Sequence, residues 1–591
     1  MYGETPRRDL VPVTLGDEPA DIVVSGGTHV NVHSGELREE DVAIRGDRIA
    51  AVGDVEYAVG EETTVIDAEG KFVTPGLIEG HLHTYHSMFN GTDVARLLLE
   101  HGTTVVADGF YGPGNVAGLR GIEFAKAEIE RTPLSLVFLV PTLSHTQMSI
   151  VGIPRTDTAL STEEVYELLD RRDCRGLEEP TYEPIVDLDE EYLDLFEATL
   201  DRDKVVTGHA AMPGERELQA YIAAGCSTEH EATTKDGAVS RARRGMYMLS
   251  RYGTGLPNLE ETVRGVTETG QDSRRYGTSG DVRLPADLLE NGCIDVNVRA
   301  AIENGVDPVE AVQMATLNTA EALRVDQDLG SVAPGKVADV VLVDDLADFS
   351  IDTVLSNGEV VVEDGEFVAD LPSPDYPDWT RDTIRIGGAM SAADFVVEAD
   401  GTEATVRTIE LPEAGLVTEA GEATLPVEDG AVRLPEGDPV VKAAMVDRLE
   451  STGRTGVAFV DGFGLDAGAL GMSYNAIREN VIVAGVDDDD MAAVVNRIAD
   501  LDGGVVAVKH GEPVAEIPLP IFGIQSDRPI ETVVEQFAAF DDALDELGCT
   551  HPMPLFSLEF HLCPYPETPG VRITDHGLFH VGDREPLDLF V

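Results

Sequence analysis

Residues 75–83 read Pro75-Gly-Leu-Ile-Glu-Gly-His81-Leu-His83, an apolar run that ends in two histidines one residue apart. On an extended strand, residues i and i+2 project to one face, so both imidazoles point at the same place and can share an ion. What precedes and follows this run sets its meaning. Upstream, Asp21-Ile-Val-Val, Asp41-Val-Ala-Ile, Arg48-Ile-Ala-Ala-Val and Thr64-Val-Ile-Asp are short β-type segments divided by turn signals, which predicts a small antiparallel sheet. Downstream, apolar runs such as Thr103-Thr-Val-Val-Ala, Leu134-Ser-Leu-Val-Phe-Leu-Val and Lys204-Val-Val-Thr-Gly-His alternate with helical stretches over residues 76–330. Alternating β and α of that length fits a (β/α)8 barrel of the TIM type, whose chemistry sits at the C-terminal ends of the strands. The H-x-H then ends the first barrel strand.

A second β-rich patch at 337–368 follows Pro334-Gly335. Residues 1–75 and 331–370 are expected to build one β-sandwich from segments flanking the barrel. The Pro-rich acidic stretch Leu371-Pro-Ser-Pro-Asp-Tyr-Pro-Asp opens a linker assigned to 371–384. Residues 385–591 form a further α/β domain, with strands at Gly456-Val-Ala-Phe-Val and Gly504-Val-Val-Ala-Val and a helix near 527–547. The run Asp487–Asp490 reads as a cap before a helix, not as a metal site. The fold class is α/β.

Four further ligand-type residues fall where later strands should end: Glu179 in Arg175-Gly-Leu-Glu-Glu, His209 in Val205-Val-Thr-Gly-His, His230 in Ser227-Thr-Glu-His-Glu and Asp281 in Gly277-Thr-Ser-Gly-Asp. Counted from His83 the gaps are 96, 30, 21 and 51 residues. With a βα unit of about 30 residues, these steps run from strand 1 to strands 4, 5, 6 and 8. Four imidazoles and two carboxylates suit two divalent cations, and ions in such a site activate water for attack on an amidine, an amide or a similar carbon. Asp281, and with it Glu179, is the expected catalytic carboxylate. Each residue alone has an ordinary reading: a strand-end histidine, a surface or N-cap glutamate, an aspartate in a turn. His86 stays open between an outer partner of this cluster and a structural role, and His101 reads as a helix cap.

The 591 residues carry 42 Lys+Arg against 110 Asp+Glu, a formal charge of −68. A field of that sign repels nucleic acid and anionic membranes, which are excluded as partners. Hydrophobic residues make up 42 % of the chain, which separates it from acidic disordered sequence. The charge suits a salt-rich, halophilic interior, where molar salt screens to about 3 Å. Five cysteines without paired spacing indicate neither a disulfide framework nor a thiolate metal site. No apolar h-region and no run of 18 apolar residues is present, so a soluble cytoplasmic protein is expected.

These motifs resemble the amidohydrolase superfamily and, more narrowly, the adenine deaminase family. In the barrel the resemblance rests on Pro75–His83, His101-Gly-Thr-Thr-Val-Val-Ala-Asp108, Thr207-Gly-His209-Ala, Glu229-His230-Glu231-Ala-Thr-Thr and Met314-Ala-Thr-Leu-Asn-Thr-Ala. Further on it includes Ala333-Pro-Gly-Lys-Val-Ala-Asp339 and the tail motifs Gly462-Phe-Gly-Leu, Asn480-Val-Ile-Val-Ala-Gly, Ile517-Pro-Leu-Pro-Ile and Phe556-Ser-Leu. The resemblance implies hydrolysis of adenine to hypoxanthine and ammonia at a two-metal centre, with Mn2+ or Fe2+ bound and Zn2+ as an alternative. It implies His81, His83, His209 and His230 as ligands, Glu179 as the bridging carboxylate and Asp281 as the strand-8 aspartate. Tyr85, Asp108, His145 and Glu231 are the expected substrate-binding residues, and a homodimer stays open as the assembly.

The sequence departs from the family pattern near this chemistry. Tyr85 stands where the family has glutamate, and Asp108-Gly-Phe-Tyr111 replaces Asp-Pro-His-Glu. Val282 replaces a second aspartate, Gly292-Cys293-Ile-Asp replaces Gly-His-Ile-Asp, and Ala476-Ile-Arg-Glu-Asn480 replaces His-Asp-Ser-His-Asn. An amidohydrolase acting on another heterocycle or cyclic amide, and a silent binding relative, are the alternatives these changes leave open.

Overall fold

A computed structural model describes residues 2–142, 158–412, 415–475, 479–564 and 570–591. Eight parallel strands form the centre: β1 (Leu77–Glu79), β2 (Thr103–Asp108), β3 (Ser135–Pro141), β4 (Cys174–Glu178), β5 (Val205–Val206), β6 (Thr228–Glu229), β7 (Tyr247–Arg251) and β8 (Tyr276–Ser279). Strands β1 to β5 pair in sequence, as do β6 to β8. Parallel bridges Thr207↔Thr228 and Leu82↔Asp281 close the ring just past the strand ends. The second seam is stitched by the backbone of the candidate ligands themselves: His83 N–H donates to Asp281 O (2.9 Å) and Asp281 N–H to His81 O (2.8 Å). Sealing the barrel and aligning these side chains are therefore one event.

Helices follow the strands as the β/α alternation requires. Gly91–Glu100 is capped by Asn90, whose side chain accepts from Asp93 N–H, and buries Val94, Leu97 and Leu98 on one face. Its last turn ends at His101, whose Nδ1 lies 3.2 Å from Asp295. The helix after β2, Tyr111–Glu130, is broken at Gly118, whose φ of 60° and ψ of −147° only glycine adopts readily.

Residues 21–75 do not form the single antiparallel sheet expected from their turn signals. Ile22–Ser25, Asp41–Arg45, Arg48–Gly53 and Thr64–Asp67 lie in a four-stranded sheet, whereas Thr28–Asn31, Glu36–Glu39 and Phe72–Pro75 join strands from 340–367 in a seven-stranded one. Two of the pairings are parallel, Ile22–Ser25 with Thr64–Asp67 and Thr28–Asn31 with Phe72–Pro75. The chain changes sheets at Gly26-Gly27, where Gly26 has φ +84° and a Cβ on Gly27 would lie 2.5 Å from Val73. Val24, Val42, Ile44, Val73, Val340 and Leu355 from both sheets share one core.

The tail domain is a nine-stranded sheet with a helix on each face. Along Gly504–Lys509, Val506 and Val508 pack with Met491, Val495 and Ile498 of helix Asp488–Asp500, while Val505 and Ala507 join the core shared with helix Ile530–Glu546. This is the two-residue period of a strand buried on both faces. Asp487 caps the first helix by accepting from Asp490 N–H (3.0 Å), so the acidic run is a cap as expected. Between barrel and tail, the Trp379 ring packs 5.6 Å from both Phe124 and Phe522, with the Arg120 guanidinium 3.7 Å above it. The five cysteines are free thiols. Among the described residues no helix is long and apolar enough to cross a membrane.

Candidate metal centre and active site

The six ligand-type residues gather at the C-terminal mouth of the barrel. His81 and His83 lie just beyond β1, Glu179 beyond β4, His209 beyond β5, His230 beyond β6 and Asp281 beyond β8. Glu179 is the hub: its carboxylate lies 2.9 Å from His81 Nε2, 3.3 Å from His83 Nε2, 3.0 Å from His209 Nδ1 and 3.1 Å from His230 Nε2. Asp281 Oδ1 lies 3.5 Å from His81 Nε2 and 3.6 Å from His83 Nε2. Two ligand groups result, His81/His83/Glu179/Asp281 and Glu179/His209/His230, and they share Glu179. All six residues are buried, and Glu179 has no exposure at all.

Glu179 and Asp281 both have positive φ, 50° and 60°, a left-handed conformation that non-glycine residues adopt at a cost of about 1–3 kcal/mol. That strain turns the chain off the end of its strand and aims the carboxylate across the mouth. Burial by itself raises the Glu179 carboxyl, but the facing His81 and His83 hold it well below the usual carboxylate range. Burial lowers His81, and Glu179 and Asp281 more than offset it, so this imidazole is raised well above its ordinary value. His230 is pushed down to about 4 by burial and by His81.

A surrounding layer holds the ligands. Fully buried Glu79 accepts from His81 N–H (2.9 Å) and Gly280 N–H (2.8 Å), tying β1 to β8. Tyr221 Oη accepts from His209 N–H (3.2 Å). Arg251, the last residue of β7 and 2 % exposed, donates to Asp281 Oδ2 (2.7 Å) and pairs with Glu231. It offsets the burial that raises both carboxyls and holds each below its ordinary value.

The chamber beside the cluster is lined by His83, Tyr85, His86, Tyr111, Glu231, Arg251, Leu256, Asp281, Val282, Leu416 and Phe560. Its cavity volume is about 10 Å3, room for about one water. Arg251 and Leu256 also line an outer cleft of about 1000 Å3 between barrel and tail. Burial lowers the His86 imidazole, but the Glu559 carboxylate pairing with its Nδ1 outweighs it and raises the group.

Of the expected substrate-binding residues, Tyr85 and Glu231 line the chamber and Asp108 does not. Asp108 accepts from Thr84 N–H (3.0 Å), Thr84 Oγ1 (2.5 Å) and Phe110 N–H (2.7 Å), and so pins the loop after β1 to the loop after β2. Its carboxylate also groups with His83 and Glu178 beside the metal-ligand cluster. His145 lies outside the described residues. Arg251, Glu559 and Phe560 are chamber or partner groups that sequence reasoning missed. An arginine ending Tyr247-Met-Leu-Ser-Arg, at a strand's functional end, was a readable signal; a lone glutamate inside Leu555-Phe-Ser-Leu-Glu-Phe560 was a fainter one.

Residues 72–361 match the model of the amidohydrolase family and residues 415–585 that of the adenine deaminase C-terminal domain. The chain is 37 % identical to an adenine deaminase of Moorella thermoacetica over 98 % of both proteins. It is 37 % identical to one of Desulfatibacillum aliphaticivorans, over 98 % of this chain and 99 % of that protein. An adenine deaminase of Clostridium botulinum is 34 % identical over 99 % of this chain and 97 % of that protein. An adenosine deaminase structure from Xanthomonas campestris superposes with a TM-score of 0.46 at 15 % identity, covering 59 % of this chain and 95 % of that one.

Proposed function

The chain belongs to the adenine deaminase family, and on that premise we propose that it hydrolyses adenine to hypoxanthine and ammonia with two divalent cations at the barrel mouth. The observation that carries this reading is the convergence of four imidazoles on one fully buried carboxylate, with a second carboxylate beside it. Buried polar atoms normally have hydrogen-bond partners. Here His81 Nε2, His230 Nε2 and Glu179 Oε2 are buried without a well-formed hydrogen bond, which fits lone pairs facing cations between them. One cation fits His81, His83, Glu179 and Asp281, and the second fits Glu179, His209 and His230. A donor set of imidazole and carboxylate without thiolate suits Mn2+, Fe2+ or Zn2+. Bound there, such ions supply Lewis acidity and activate water.

The protein's own groups do the rest. Asp281 takes the proton of the attacking water at its carboxylate and returns it to the departing amine, a general-base then general-acid role. Arg251 fixes Asp281 through Oδ2, so Oδ1 is the oxygen turned toward His81 and His83. Glu231, held by the same guanidinium, stands in the chamber as an acceptor for substrate N–H groups. Tyr85, Tyr111, Leu256 and Phe560 supply apolar walls for a planar ring and exclude bulk water. A free purine base as substrate fits an enzyme of the cytoplasm, and the net charge of −68 fits one that meets neither nucleic acid nor an anionic membrane.

Purified protein loaded with Mn2+ in molar KCl is expected to release ammonia from adenine with hypoxanthine as co-product. Absence of ammonia from adenine and from related aminopurines overturns the assignment. The aromatic lining, with Tyr85 and Tyr111 where the family has acids, favours another aminated or cyclic-amide ring as second reading. A panel of such heterocycles in the same assay separates the two.

A further inference from the structure

The tail domain reaches the chamber through Leu416 and through a π-helical turn, Ser557–His561. Such turns are rare and recur at functional sites. Phe560 of this turn lines the chamber, and the neighbouring Glu559 sends a fully buried carboxylate to Nδ1 of His86, in the turn Thr84–Ser87 that follows the H-x-H. The pair is set among rings: Tyr85 lies 4.2 Å, Phe560 5.5 Å and Tyr474 6.5 Å from the His86 ring, centroid to centroid. For stability alone an apolar pair of similar volume serves such a place as well or better, because desolvating two ionisable groups offsets their attraction. The dyad therefore needs another reason.

His86 lines the chamber, and its ring centroid is 5.5 Å from that of His83, a ligand-type residue at the reaction centre. With Nδ1–H donating to the Glu559 carboxylate the ring has one orientation, and paired there as an imidazolium it keeps a second donor, Nε2–H, for a ligand. We propose that His86 is a substrate-binding residue whose Nε2–H donates to a ring nitrogen on the edge of the heterocycle remote from the amino-bearing carbon, and that Glu559 is the positioning residue that holds it there. The substrate class is then a planar amino-heterocycle with an acceptor nitrogen on that far edge, and the tail domain is a part of the specificity pocket. This inference rests on the reading of the chain as a purine-type deaminase.

The test compares adenine with 3-deazaadenine, which lacks the acceptor nitrogen on that far edge, and with 7-deazaadenine, which keeps it, on Mn2+-loaded wild type, Glu559→Leu, Glu559→Gln and Glu559→Asp. Wild type is expected to prefer adenine over 3-deazaadenine by about 10-fold in kcat/KM, the share of a hydrogen bond to a charged group. Glu559→Leu should raise KM for adenine by about 10-fold, leave kcat within about 3-fold and erase the preference, with Glu559→Asp restoring part of it. Glu559→Gln keeps the volume and serves if the leucine variant does not fold. A wild type indifferent to 3-deazaadenine overturns the proposal, as does a Glu559→Leu or Glu559→Gln variant that keeps the preference or loses kcat equally on every substrate. If wild type releases no ammonia from any purine, the deaminase reading fails first, and calorimetric binding of the three bases decides about the dyad. Tighter binding of adenine that vanishes in the Glu559 variants supports it, and equal binding or none defeats it.

Discussion

Replacing Arg251 by methionine removes the buried cation that Asp281 and Glu231 share while keeping most of the side-chain volume. The guanidinium is 2 % exposed and the two carboxylate side chains 7 % and 6 %, so water does not take its place. Breaking a buried ion pair by deleting one partner costs about 3–5 kcal/mol, since the remaining charge stays buried and unpaired. For a cooperative unit of barrel size, with about 2–4 °C per kcal/mol, the loss is on the order of 10 °C in melting temperature. Chelator-treated protein should show the whole effect. Metal-loaded protein should show less, because the cations neutralise part of the unpaired buried negative charge. The double variant Arg251→Met/Glu231→Gln removes one stranded charge together with its partner and should melt several degrees above Arg251→Met. Scanning fluorimetry on the four combinations of these two changes, with and without Mn2+, measures the coupling. If the two losses simply add, Arg251 is not the shared counter-charge and this account of the site is wrong.

Three other outcomes follow from particular groups. Glu179→Gln should lower bound metal to below one ion per chain by elemental analysis and cut ammonia release by at least about 100-fold, more than the loss of an outer partner costs; two ions retained per chain contradicts the bridging role. His561, pulled down to about 4 chiefly by burial, donates to Gly415 O and accepts from Ser557. Its folded value lies below the ordinary one near 6.5, so between the two the unfolded chain binds more protons and stability falls with falling pH, by at most about 3 kcal/mol. His561→Asn should flatten that slope in urea titrations at pH 4 to 7. Finally, 21692 Å2 of surface shared by 68 net charges leaves about 320 Å2 per charge, or about 18 Å between neighbours. That is under two screening lengths at 0.1 M salt and about six at 1 M, so the melting temperature should climb from 0.1 to 1 M KCl, and a flat response refutes the idea that self-repulsion limits this fold.

The barrel was legible because its signals are local and repeated. The strand spacing and the H-x-H at the first strand end carry the period of the fold within short windows, and a residue at a barrel strand's C-terminal end is near every other such residue. For the same reason His81, His83, Glu179, His209, His230 and Asp281 could be placed at their strand ends without a structure. What a strand-end residue meets depends on what faces it. Asp108 ends a strand too, and three local donors hold its carboxylate across the loops after β1 and β2. The sheet over 21–75 divided because turn residues mark where a strand stops and not which sheet it enters next.

The sequence by itself determined the alternation of strands and helices, the acidity of the surface and the residues at the strand ends, since each follows from periodicity or composition over a few tens of residues. Only the tertiary structure decided that Arg251 clamps Asp281 and Glu231, that Glu179 is the shared hub, and that Glu559 reaches His86 across 473 positions of chain. Those facts are distances between side chains whose separation along the chain says nothing of their separation in space, and they exist only once the barrel has closed and the tail domain has packed against its mouth.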